Sequence, residues 1–458
     1  MNRLASLLLT GALLVGVAQL PAANAAATSG LSPLDAEQIG VSYARLTNEF
    51  YKKTDPQSIV DGARTGLSKA LSTAGVRASL PAIGATASAT QNAHAVDREV
   101  ELASRAAGSK ISAHLLSYAA IAGMLGSVHD RYTVFLTPKE YAALNSGLDG
   151  GSFSGTGIVI QADDQTKYIN VSNVVPNGPA DKAGIQQDDL ITAIDGASTH
   201  GMKLDKASSK LRGLAGTKVA LTIVRDGKAL PSPILVTRAT VHELSVYEKM
   251  LPGKIGYVAL TVFGRDTGSE LTTALDRLQQ QGARAIVMDL RDNGGGYLNA
   301  AVDVSSKFIP SGPIVSVESR ASQITTLEAN NTAISPLPLA VLVNGHTASA
   351  SEITSGAIQD DGVGTIIGTK TFGKGVVQNI WPLPDGSAIK ITTARYLTPH
   401  NRDINHLGIA PDITVAESKT DRYGVVGKDA QLSRAVNFLD DKLAHMGTAP
   451  ASNGGTNN

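Results

Sequence analysis

Apolar positions recur at three- and four-residue steps over residues 34–53, where Ile39, Tyr43, Leu46 and Phe50 share one face. That spacing predicts an amphipathic helix. Asp55-Pro56 opens a second helix through Leu71, and a third helical stretch runs from Val96 to Leu125. Between them, residues 74–95 are rich in Ala, Ser, Thr and Gly and read as a linker or loop. Thr137-Pro138-Lys139-Glu140 is a capping box with proline at the first helical position, and starts a short helix to Leu144.

The period changes at Gly147. Up to Thr240 the chain alternates short strand-like runs (157–160, 168–171, 190–194, 219–224) with glycine turns, which predicts one small β-rich domain. From Gly253 strands at 254–261, 284–290, 313–318 and 339–343 are separated by helix-like segments at 267–281, 297–308 and 348–359. This alternation predicts an α/β layer domain. Strand texture returns after Gly364 to Tyr396, and a last amphipathic helix spans 428–446.

The two ends read differently. Residues 1–25 form a secretory signal peptide: one charge at Arg3, an apolar run from Leu4 to Leu20, and a small-residue cleavage site at Ala23-Asn24-Ala25. The protein is therefore expected in the periplasm or outside the cell, membrane-associated only if the signal stays uncleaved. Residues 447–458 are polar and read as a disordered tail.

Composition narrows the chemistry. The chain has 458 residues, 42% of them hydrophobic, which is ample for packed domains. Forty basic residues balance forty acidic ones, which argues against nucleic acid as a partner. With no Cys, disulfides, thiolate metal sites and cysteine nucleophiles are excluded.

Three segments carry candidate chemistry. In the first, an apolar strand ends at Asn344-Gly345 and a helix begins near Ser349. A hydroxyl there sits beside outward-pointing backbone N–H groups that suit an oxyanion. Ser349 with Glu352 three residues later is equally a helix capping box. In the second, Lys374 lies between Gly373 and Gly375, close to Phe372. Desolvation would turn such a lysine into a usable base for a hydroxyl. The same segment imitates a phosphate loop, but Gly375 replaces the Ser or Thr that holds magnesium, and a strand follows instead of a helix. The third is the glycine loop Gly294-Gly295-Gly296 after the buried strand ending at Leu290. His346, next to Ser349, is a competing base.

In order, these segments resemble the carboxyl-terminal processing peptidases, tail-specific serine proteases of the S41 type, over about Tyr118 to Val415. The family's Gly-Ser-Ala-Ser-Ala-Ser-Glu-Ile block stands at 346–353 and Thr-Phe-Gly-Lys-Gly at 371–375. The resemblance implies Ser349 as nucleophile, Lys374 as base, Gln378 as its hydrogen-bond partner and Asp360 as a supporting acid. It implies oxyanion N–H groups at Gly295 and Ala350, and no metal or organic cofactor. Residues 147–240 resemble a PDZ domain, with Gly155-Thr156-Gly157-Ile158 as the loop that binds a peptide's terminal carboxylate and Arg212 as a gating contact. Departures are His346 and Thr347 for Gly and Ser, Asp292 and Gly294 in the glycine loop, and Val128-His129-Asp130-Arg131-Tyr132 for Leu-Asp-Pro-Tyr.

The expected fold is multidomain α+β. It comprises a helical region at 26–146, the PDZ domain at 147–240, and a ClpP/crotonase-like α/β serine protease core at 241–446. The expected activity is an exported serine endopeptidase acting near apolar free C-termini of proteins. The alternatives are a non-catalytic peptide-binding scaffold and a Ser–His hydrolase. Adaptors and oligomeric state are left open.

Overall fold

The computed structural model describes residues 31–447, apart from 149–150, 164, 176, 243, 321, 335 and 419–420. The expected signal peptide and the polar tail from 448 onward lie outside the described residues. The protein is a multidomain α+β protein whose chain divides into two compact units. Among the described residues the first comprises 31–144, 290–295 and 301–438, and the second 145–289, 296–300 and 439–447.

The first unit begins with four helices. Ser32, Asp55, Ser88 and Ser112 each cap a helix by accepting a backbone N–H, starting Pro33–Glu49, Pro56–Thr73, Ala89–Ala107 and Ala113–Gly126. Two expectations are corrected here. The third helical stretch is two helices, because Gly108 adopts φ +56° at the first one's end and Ser112 restarts the second. The Ala89 start also falls inside the expected linker, since Ser88 supplies a cap that its Ala-rich surroundings obscure. Helices Pro56–Thr73 and Ala113–Gly126 touch backbone to backbone. A Cβ at Gly66 would lie 2.1 Å from the Ala119 carbonyl oxygen, and one at Gly123 would lie 2.2 Å from that of Gly62. Their core holds Tyr43, Leu46, Leu67, Leu71, Val100, Ile121 and Met124, joined by Ile389 and Ile391.

Glu99 is the exception in that core. It is fully buried and neither carboxylate oxygen has a hydrogen-bond partner. Burial pushes its pKa up to about 7. A carboxyl raised above its unfolded value binds an extra proton in the folded state, so stability falls as pH rises from about 4.5 to about 7. Glu99→Gln is therefore expected to stabilise the protein at pH 8 by up to about 3 kcal/mol and to leave it nearly unchanged at pH 4. Thermal melts at the two pH values check this; equal shifts at both would count against it.

The rest of the first unit positions the chemistry. A five-stranded sheet runs Val134–Leu136, Ala388–Leu397, Pro313–Ser319, Ile324–Glu328, with Val376–Pro382 also paired to Ala388–Leu397. Ile324–Glu328 is an edge strand the sequence pattern missed: three of its first three residues are exposed, so it shows no alternation. Beside this sheet in the chain, Leu339–Val343 and Gly364–Gly368 pair in parallel, and Gly364–Gly368 pairs with Ile413–Thr414. All five residues of Leu339–Val343 are buried, as a strand covered on both faces requires. Helix Ala350–Asp361 is its crossover to Gly364–Gly368.

The second unit holds the β-rich domain. Strands Ile158–Ala162, Ile169–Val174, Leu190–Ile194 and Lys218–Arg225 pair antiparallel in that order. Their core gathers Ile169, Val171, Ile191, Ile194, Leu221 and Ile223, with Leu211 from helix Leu204–Leu211. Further along, strand Val246–Leu251 pairs antiparallel with Ile255–Leu260, which pairs in parallel with Ala285–Asp289. Val246–Leu251 was not expected, because its middle residues Tyr247-Glu248-Lys249 are too polar to read as strand.

Candidate active site

Ser349 stands between strand Leu339–Val343 and helix Ala350–Asp361, at φ 58° and ψ −120°. A non-glycine residue there carries strain of about 1–3 kcal/mol, a feature that clusters at functional sites. A sharp strand–turn–helix step of this kind exposes a nucleophilic hydroxyl in other hydrolase folds. The turn is held from below. Thr347 Oγ1 donates to the Leu290 carbonyl at 2.8 Å, and Asn344 N donates to Thr347 Oγ1 at 2.9 Å.

The glycine loop is laced to the same turn. Ala348 N donates to the Asn293 carbonyl at 3.0 Å, as does Ser351 Oγ, also at 3.0 Å. Gly295 lies so close that a Cβ there would meet Ser349 Cβ at 2.8 Å and Ala350 N at 2.8 Å. Its φ of +96° and this lack of room both require glycine. Gly295 N donates to Asn293 Oδ1 at 2.9 Å, whereas Ala350 N makes no hydrogen bond among the described residues. The loop's base is fixed by Arg291, whose guanidinium makes a fully buried, two-pronged pair with Asp429 (2.9 and 2.8 Å) and lies 3.9 Å from the Tyr423 ring centroid.

Glu352 joins the serine to the lysine. Its fully buried carboxylate accepts from Ser349 N at 2.9 Å, Lys374 N at 2.8 Å, Gly373 N at 2.7 Å and the Thr371 hydroxyl at 2.5 Å. Burial raises its pKa against the pull of those four donors. Tyr396 closes the other side, its hydroxyl donating to the carbonyls of both Ser349 (3.2 Å) and Lys374. Burial keeps that phenol protonated, as a donor must be.

The Lys374 side chain is half-buried, with Nζ 4.9 Å from the Tyr132 ring centroid. Its pKa is pushed down to about 8, first by burial and then by the charge of Lys390. No hydrogen bond joins Lys374 Nζ to Ser349 Oγ. The His346 ring likewise makes none among the described residues, its backbone N donating to Asn344 Oδ1 at 3.0 Å.

The other expected residues are placed as follows. Gln378 follows a register shift in strand Val376–Pro382 and donates to the Val376 carbonyl at 3.1 Å, not to Lys374. Asp360 is not brought to the site. It lies near the far end of the helix that starts after Ser349, about 16 Å along the axis at 1.5 Å per residue. There it pairs with Arg402 and accepts from His400 N at 2.8 Å. In the second unit, Gly155 lies opposite Ala239 in a two-stranded ladder, and Thr156 is buried with its carbonyl accepting from Ala180 N at 2.8 Å. Gly157 at φ +73° turns the chain into Ile158, the start of a strand paired on one side only among the described residues. Arg212 lies 4.8 Å over the Phe153 ring.

Sequence reasoning missed the roles of Glu352 and Tyr396. The spacing of Ser349 and Glu352 was legible only as a capping box, which accounts for one of the four donors that Glu352 meets. Among the described residues no group of three or more His, Asp or Glu could hold a metal ion, and no helix is long and apolar enough to cross a membrane.

Known proteins resemble this chain over most of its length. Residues 254–415 match the profile of peptidase family S41, and residues 171–225 match that of a PDZ domain. A carboxyl-terminal-processing protease of Synechocystis sp. is 38% identical over 333 residues, covering 72% of this chain and 78% of that protein. One from Picosynechococcus sp. is 36% identical over 340 residues, 73% of this chain and 82% of that protein. A solved photosystem II D1 C-terminal processing protease aligns at 28% identity over 84% of this chain and 94% of its own, with a TM-score of 0.46.

Proposed function

The chain belongs to peptidase family S41, and from that premise we propose that it is an exported serine endopeptidase. It cleaves proteins near apolar, free C-terminal tails with Ser349 as nucleophile and Lys374 as base. The observation that carries this reading is the single buried carboxylate of Glu352, which binds the backbone N–H groups of both residues. Beside it, Lys374 has a pKa lowered to about 8, so a useful fraction is neutral near physiological pH.

Neutral Lys374 takes the proton from Ser349 Oγ as the oxygen attacks the scissile carbonyl. The free N–H of Ala350 and the N–H of Gly295 donate to the oxyanion. As the tetrahedral adduct collapses, the C–N bond breaks and protonated Lys374 returns its proton to the leaving amine. Water then attacks the acyl-enzyme, with Lys374 again the base, and Ser349 is regenerated. Two rotations separate the described geometry from the reactive one. The Lys374 side chain must swing onto Ser349 Oγ, and Asn293 must release Gly295 N. Gln378, freed from the Val376 carbonyl, then accepts from the lysine ammonium.

The PDZ domain supplies tail selection. The backbone around Gly155, Thr156, Gly157 and Ile158 binds the terminal carboxylate, and strand Ile158–Ala162 pairs with the tail as an added strand. A protein bearing an apolar tail with a free C-terminus should therefore be cleaved about 10–100-fold faster than the same tail amidated, the worth of one charge-assisted contact. Comparison of kcat/KM for the two forms tests this; equal values would remove the tail-specific reading while leaving a peptidase.

A further inference from the structure

Segment 127–133, between helix Ala113–Gly126 and strand Val134–Leu136, reaches the lysine from a part of the chain outside the nucleophile and base motifs. It is fastened to strand Ala388–Leu397 rather than left as a loose loop. Asp130 Oδ2 accepts from the hydroxyls of Thr133 at 2.7 Å and Thr392 at 2.5 Å. Thr392 N donates to Thr133 Oγ1 at 3.1 Å, and Val134 pairs with Lys390. These bonds hold the Tyr132 ring against Lys374 Nζ, 4.9 Å from its centroid. The same ring takes a second cation, since Arg131 Cζ lies 4.7 Å from its centroid and the guanidinium donates to the Tyr132 hydroxyl. Arg131 also lies 5.1 Å over the Phe372 ring, two residues before the lysine. Arginine stays charged at every working pH, whereas lysine can give up its proton.

We propose that Arg131 and Tyr132 are positioning residues for Lys374, forming a cationic aromatic cover that keeps water from its amine and disfavours the ammonium form. The cover acts on the base by two physical routes. The ring takes the place of water that would otherwise solvate an ammonium group. The permanent charge of Arg131 on that ring disfavours a second cation there. The other charges around Lys374 are those of Lys390, which also favours the neutral amine, and of Glu352 and Asp130, which oppose it. Burial and the two cations prevail over the two carboxylates, in line with the lowered pKa.

The proposal rests on Lys374 being the base, and the experiment separates the two. The pH dependence of kcat/KM for a free-tail peptide is measured from pH 6 to 10 for the wild type, Arg131→Met, Arg131→Lys, Tyr132→Phe, Tyr132→Ala and Lys374→Ala. Wild-type activity should rise with pH through a midpoint near the lysine's lowered pKa of about 8. Arg131→Met and Tyr132→Ala should move the midpoint up toward the free-lysine value of about 10.4. A one-unit move costs about tenfold at pH 7 and is recovered by pH 10. Arg131→Lys, which keeps a positive charge near the midpoint but not the stacking, should move it less than Arg131→Met, and Tyr132→Phe, which keeps the ring, should hold the wild-type midpoint. A loss by Arg131→Met and Tyr132→Ala that is constant across pH, with the midpoint unmoved, overturns the cover and leaves the base intact. Cleavage by Lys374→Ala at the wild-type rate overturns both.

Discussion

Ser349→Ala and Lys374→Ala should each lower kcat by about four to six orders of magnitude, with the overall fold retained. Residues acting as one catalytic unit lose nearly everything when either is removed, so the double variant should be no worse than either single one. Lys374→Arg should be as inactive as Lys374→Ala, because arginine cannot shed its proton to become a base. Ser349→Gly adds a reading that activity alone cannot supply. The φ of 58° and ψ of −120° at Ser349 are strained for a side chain and open to glycine. The glycine variant should therefore be inactive and yet melt higher, by about 1–2 kcal/mol of added stability. Progress curves on a free-tail substrate, together with thermal melts, check all five variants. Cleavage within tenfold of wild type by Ser349→Ala would point to another nucleophile. A lower melting point for Ser349→Gly would mean the conformation is not a store of strain.

Glu352→Gln should be the next most damaging change, lowering kcat/KM by at least about 100-fold. One carboxylate oxygen meets Thr371 and Gly373, and the other meets Ser349 and Lys374. An amide has a single acceptor oxygen, so its NH2 group faces either Ser349 N and Lys374 N or, turned over, Gly373 N and the Thr371 hydroxyl, which can accept in turn. One or two buried N–H groups left without acceptors cost about 1–3 kcal/mol each, offset in part because the neutral amide no longer buries a charge. The net loss of stability should therefore be about 1–3 kcal/mol, smaller than the loss of activity implies. The sign in pH follows from the raised pKa of Glu352. Its carboxylate protonates above the usual carboxylate range as pH falls, and the bridge loses acceptor strength while the rest of the chain remains ionised. Activity within threefold of wild type in Glu352→Gln would remove the bridge from the mechanism.

The motifs were legible because each is a local statement about the backbone. Asn344-Gly345 after five apolar residues announces a strand and a turn, and Gly373-Lys374-Gly375 announces a lysine between two glycines. That Gly373 also permits a close approach of chains is visible only in the structure, where a Cβ would lie 2.9 Å from Gly408 N. Failures fell where a residue's partner lies far along the chain. Glu352 looked like a cap, yet three of its four donors come from residues 371–374. Helix Ala89–Ala107 was hidden in a linker-like stretch because its stability comes from packing Val96, Val100 and Ala103 against other helices, not from its local composition.

By itself the sequence determined the family, the order of α and β segments, and the residue types available for chemistry, since periodicity, turn glycines and a polar side chain at a helix start are all local. Only the tertiary structure decided which of them act together. It put Glu352 between Ser349 and Lys374, set Tyr396 across their carbonyls, and brought the Tyr132 ring onto the lysine amine. The physical reason is that burial and long-range contact set a group's protonation and its partners. A lysine on a glycine turn is an ordinary cation until segments more than two hundred residues apart close around it and take away its water.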